Sequence, residues 1–121
     1  MSKPAQRPKM TKQPRRPSRL TQTELEALVE DAIIDAYTDE EQRVAFYTVI
    51  EDNLKVPFET EILGVPVTVE RLNLTPSGEI VAVCAHGNKR QQIPILDLPL
   101  PSIPPEGAEW IEAYRHWGEG G

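Results

Sequence analysis

A chain of 121 residues, 39% of them hydrophobic, can fill one compact core and not two. The formal net charge of −6 hides a division: residues 1–20 hold seven basic side chains and no acid, while residues 21–121 hold six basic and all 19 acidic ones, a formal −13. The single cysteine, Cys84, excludes an intramolecular disulfide and fits a reducing compartment. No apolar run approaches the roughly 20 residues of a membrane span, and none follows the basic N-terminal stretch as an export signal requires. The expectation is a cytoplasmic protein with no membrane partner.

In residues 1–20, Pro4, Pro8, Pro14 and Pro17 stand among the basic side chains with little apolar surface to bury, which predicts a disordered tail. Its "PRRP" has PxxP spacing, a match common in any proline-rich segment. A helix is predicted from Thr21, which has capping-box spacing to Glu24, and Leu25, Leu28, Val29, Ala32, Ile33 and Ala36 follow with helical period. Thr38 and Glu41 repeat the box and open a second helix. Its expected apolar face is Val44, Tyr47, Ile50 and Leu54 with Phe46 beside it, and it ends before Pro57. "TEILGVPVTVERLNL" (60–74) alternates and reads as one strand, "TPSGE" as a turn, "IVAVCA" as a second strand, and "HGNKRQ" as a hairpin turn into "QIPIL". The proline-rich residues 96–107 should run extended over the surface. A last helix from about Glu106 carries Trp110, Tyr114 and Trp117 as an apolar stripe, which more often faces a core than a partner. The sum is one α+β domain over residues 21–117: two N-terminal helices and a C-terminal helix packed on a small antiparallel sheet or partial barrel. Residues 118–121 are expected to form a flexible end.

The stretch "EDAIIDAYTDEEQ" (30–42) concentrates six acids: Glu30, Asp31, Asp35, Asp39, Glu40 and Glu41. Asp31 and Asp35 share a helix face by their spacing, and Asp39, Glu40 and Glu41 open the next helix. The two groups can therefore converge at the joint, and carboxylates with freed carbonyls are the oxygen donors calcium takes, six to eight at a time. A bland reading competes: acids at a helix N-terminus are favoured by the macrodipole at about 0.3–1 kcal/mol each. That covers Asp39, Glu40 and Glu41 and leaves Asp35, near the preceding helix's C-terminus, unexplained. An EF-hand is excluded, because starting its loop at Asp35 places Glu40 where glycine is needed and Phe46 where a bidentate glutamate is needed. Asp52 lies thirteen residues beyond Asp39, about 20 Å along one helix. It belongs either to a second cation site or to the turn "NLKVPF", which it could tie.

Other chemistries find less support. Cys84-x-His86 offers two ligands where a structural zinc site takes about four, so a core cysteine and a hairpin-end histidine are expected. No P-loop, GxSxG or HExxH motif occurs, and the expectation is a protein that is not an enzyme. The basic tail could neutralise phosphates, but it lacks interleaved aromatics and adjoins an acidic domain, so nucleic acid is not the expected partner. The competing reading is a non-catalytic interaction module whose tail engages an acidic protein or a nucleic acid, without metal.

"DAYTDEEQRVAFYTVIEDNLKVPF", then "GVPVTV", "IPILDL" and "EWIEAYRHW" together resemble the small bacterial calcium-binding proteins typified by that of heterocyst-forming cyanobacteria, over about residues 30–117. The resemblance implies helices on a small barrel-like sheet and calcium held by acidic side chains outside an EF-hand, in a protein that buffers calcium during cell differentiation. Asp35, Asp39, Glu40, Glu41 and Asp52 match acidic positions of that pattern and are the implied metal ligands. The basic tail and the basic "GNKRQQ" turn depart from it.

Overall fold

The computed structural model describes residues 20–120. In chain order these form α1 (Gln22–Ala32), α2 (Asp39–Asn53), β1 (Phe58–Ile62), β2 (Val65–Leu74), β3 (Ile80–His86), β4 (Lys89–Pro94), a 3-10 turn at Ile95–Asp97, and α3 (Glu109–Gly118). The strands make an antiparallel meander in the order β1-β2-β3-β4, an open sheet rather than a closed barrel. Together with the helices it is the expected α+β architecture.

Both capping boxes form. Thr21 and Thr38 accept from the backbone N–H of Glu24 and Glu41, and each glutamate reaches back to the cap backbone. The buried face of α2 is rotated from the expected one. Phe46 and Ile50 are fully buried and Leu54 nearly so, whereas Val44 is 48% exposed. The reason is a third neighbour. Phe46 is claimed by α3, where its ring meets Tyr114 at 5.3 Å and Trp117 at 5.6 Å between centroids. The aromatic stripe of α3 is therefore core, with Tyr114 buried and Trp110 and Trp117 packed at the core edge. α1 lies mainly against α3, and α2 touches both α3 and β2.

The expected single strand over residues 60–74 is two strands joined by a two-residue turn at Leu63-Gly64, closed by the Ile62–Val65 pair. Both turn residues take positive φ, 52° and 79°, the geometry that matches the twist of paired strands. Leucine is a poor residue for that backbone, which is why alternation masked the break. A register shift between Val69 and Arg71 marks a β-bulge, so that Val69 and Leu72 both enter the core while Arg71 points outward. On β3, Ile80, Ala82 and Cys84 face the helices.

The segment after the 3-10 turn does not simply run over the surface. Leu98 is buried, the Thr60 hydroxyl donates to the Pro99 carbonyl at 2.7 Å, and the Lys55 N–H donates to the Glu106 carbonyl at 2.8 Å. Gly107, at φ 91°, lies so close to the end of α2 that an added Cβ would overlap the Asn53 carbonyl and come within 2.7 Å of the Leu54 Cα. That turn delays α3 to Glu109, three residues beyond the expected start. Gly118 is the last helical residue, where the glycines were expected to stop the helix.

Candidate metal centre

Six residues, Ile33 to Thr38, join α1 to α2. Ile33 caps α1 through its N–H to the Val29 carbonyl, and the Ala36 N–H returns to the Ile33 carbonyl at 2.9 Å, so the chain turns sharply. Gln42 then ties this turn to the far side of the helical layer. Its amide nitrogen donates to the Ala36 carbonyl at 3.3 Å, and its amide oxygen accepts from the Trp117 indole N–H at 2.9 Å. Arg43 adds a cation–π contact, 5.9 Å above the Trp117 ring.

A shallow open groove of about 480 Å³ lies at this joint. Asp35, Glu40 and Glu41 line it, together with Ala32, Ile34, Ala36, Val44 and Ala45. Three of the five predicted ligands thus share one surface. All five are exposed. Asp39 heads α2 outside the groove lining, and Asp52 stands near the opposite end of the same helix, about 20 Å away by helical rise. Glu41 is partly committed: its Oε1 accepts from the N–H groups of Tyr37 at 2.9 Å and Thr38 at 3.3 Å. Asp35, Asp39 and Glu40 make no side-chain hydrogen bond among the described residues. Asp52 does not tie the turn after α2, as one reading expected. The Asn53 amide donates to the Val49 carbonyl, and Lys55 pairs with Glu106 instead.

The donor chemistry suits a hard cation, since the groove offers carboxylate oxygen and neither sulfur nor imidazole. Its count falls short of a closed cage. Among the described residues no three Asp, Glu, His or Cys side chains are gathered closely enough to hold an ion. The joint fits calcium in charge and donor type, and the full set of six to eight oxygens is not assembled around one point.

The other polar groups lie elsewhere. Cys84 is buried against the core, where desolvation raises its thiol pKa, and His86 at the strand end shares a hydrogen bond of 2.9 Å with the Pro66 carbonyl. They form no Cys/His site. In the bulge, Glu70 is gripped by Arg90 at 2.8 and 3.1 Å, which holds its carboxyl below the ordinary range. Sequence reading passed over Gln42, the residue that fixes the joint. Its one signal was an amide directly after the acidic run, a residue type that both donates and accepts.

Among the described residues, fold and site together define a three-helix, four-strand domain with a carboxylate-lined helix joint. The model of a family described as calcium binding, the CcbP family, matches residues 26–118, and the chain belongs to that family. No curated protein and no solved structure matches the chain. Among the described residues no helix is long and apolar enough to cross a membrane.

Proposed function

We propose that this chain binds calcium as a non-catalytic buffer or sensor, at the α1–α2 joint and outside any EF-hand. Asp35 and Glu40 make the first contacts, the uncommitted oxygen of Glu41 joins them, and Asp39 adds charge. The observation that carries this reading is the family match over residues 26–118. Within the matched region the joint is favoured because three acids and no base line one groove. Mutual repulsion among these exposed carboxylates is relieved when a dication arrives, so binding and stability rise together. Asp52 is too far along α2 to share the ion and serves at most a second site.

Calorimetric titration of the full chain with calcium and with magnesium tests this. A saturable calcium heat is expected, lost or weakened at least tenfold in Asp35→Asn and Glu40→Gln and unchanged at the joint in Asp52→Asn. At a hundred times Kd the bound ion should add about 2.7 kcal/mol to stability. Equal melting temperatures in calcium and in chelator, with no heat on titration, would remove the reading.

A further inference from the structure

The sheet is open, so β1 and β4 each present one edge of main chain with no strand beside it. The hairpin turns decide which residues face outward there. The β3–β4 turn, Gly87-Asn88, is closed by the His86–Lys89 pair. Lys89, Gln91 and Ile93 therefore exchange hydrogen bonds with β3, while Arg90 and Gln92 aim their N–H and C=O groups away from it. Pro94, the next outward position, fits this alternation because it has no N–H to offer. Among the described residues no main-chain group from outside the strands bonds to the main chain of Arg90 or Gln92. We propose that β4 is a pairing surface for a second copy of this chain, joined antiparallel about a two-fold axis at Gln91. The pairing does not depend on the calcium reading above.

Charge and register select that occupant. On β1 the Ile62–Val65 closing pair turns Glu59 and Glu61 outward. Two β1 edges brought together there would set acid against acid, which is destabilising. Pairing β1 of one copy with β4 of the next would run head to tail and would not close. Two β4 edges meet without conflict. An axis at Gln91 sets Gln91 against its own copy, Arg90 against the partner's Gln92 and Lys89 against the partner's Ile93, with no like charges opposed. Main-chain hydrogen bonds then run both ways between Arg90 and the partner's Gln92, and again by symmetry. The charges that commonly guard an edge are turned aside. Arg90 is drawn across its own sheet to Glu70 at 2.8 and 3.1 Å. Lys89 stands at the hairpin end, where its stem can cover the partner's Ile93. Space is open as well. Gln91 lies on the same side of the sheet as Cys84, its cross-strand neighbour, which faces the helices, and both Gln91 and Lys89 are exposed. The helical layer therefore does not overhang this edge. So small a contact falls below a standard stable interface, and the dimer forms only at high concentration.

Sedimentation of the full chain from about 10 μM to 1 mM, the range of weak association, tests this. The expected result is a monomer that passes to a dimer and no further. In amide NMR spectra over the same range, Arg90 and Gln92 should shift with concentration while Glu59 and Glu61 stay in place. Gln92→Pro removes an outward N–H that serves no bond within the sheet, so it should leave the melting temperature unchanged and abolish the dimer. Gln91→Lys and Gln91→Glu each place like charges face to face on the axis. Either variant alone should stay monomeric, and an equimolar mixture of the two should dimerise at least as well as the parent chain. This exchange decides the matter even where the proline variant does not fold. A parent chain that is monomeric at every concentration overturns the proposal. So do Gln91 variants that dimerise alone as the parent does, or a mixture that stays monomeric. Growth beyond the dimer would place β4 on β1 of the next copy and overturn the two-fold arrangement.

Discussion

Glu41 serves the helix cap and lines the groove, and substitution can separate the two duties. Glutamine keeps an amide oxygen for the cap and loses the charge, so Glu41→Gln should leave the urea midpoint nearly unmoved while weakening calcium binding. Thr38→Ala removes the other half of the box and should cost about 1 kcal/mol of stability. Two backbone positions make sharper claims. At Gly107 an alanine would meet both a positive φ and the backbone of Asn53 and Leu54, so Gly107→Ala should destabilise by about 3 kcal/mol or more in a denaturant melt. Leu63 sits at φ 52°, 98% exposed, where its side chain does nothing for the core. Leu63→Asn should therefore gain about 0.5–1 kcal/mol. Glu70 gives a pH signature. Its folded pKa is depressed by Arg90, so whatever stability the pair adds is present above the ordinary carboxylate range and fades as pH falls through the folded value. Arg90→Gln should lower the melting temperature slightly at neutral pH, and the difference between the two chains should shrink as pH falls below the ordinary carboxylate range.

At the scale of elements, what was legible in the sequence was local chemistry. The capping boxes at Thr21 and Thr38 set both helix starts because their partners lie three residues away. The glycines of "WGEGG" placed the end of α3 for the same reason. What depended on distant partners was not legible. The α2 face turned toward Phe46 because Tyr114 and Trp117, some seventy residues later, supply the rings it packs on. The β1–β2 turn hid because leucine holds a position where asparagine or glycine is the usual sign. Phe46→Ala should accordingly cost about 3–5 kcal/mol, and Val44→Ala, on the exposed side, within about 0.5 kcal/mol. The candidate site divides similarly. Spacing along the chain was enough to bring Asp35, Glu40 and Glu41 to one groove and to keep Asp52 apart. The groove's Ile34–Val44 lining comes from the linker and the first turns of α2. The Gln42 bridge from Ala36 to Trp117 that holds this linker reaches a side chain 75 residues further along the chain, which no local pattern encodes.

Across the whole molecule the chain divides into an acidic folded part and a basic leading stretch that lies outside the described residues, as does the expectation that it is disordered. A split of this kind makes electrostatics the variable most open to solution conditions. At about 0.1 M salt the screening length is near 10 Å, so the calcium binding proposed at the exposed joint should weaken as salt rises, and comparison of titrations at low and high ionic strength measures that slope.

The Gln42 bridge has an optical corollary. One amide holds the carbonyl of Ala36 with one hand and the indole of Trp117 with the other, so any movement of the linker must tug on a fluorophore. In a Trp110→Phe chain, Trp117 is the sole indole left. Its emission should shift when the linker closes on an ion, and Gln42→Leu should silence that shift without removing the carboxylates. The protein would then carry its own dye.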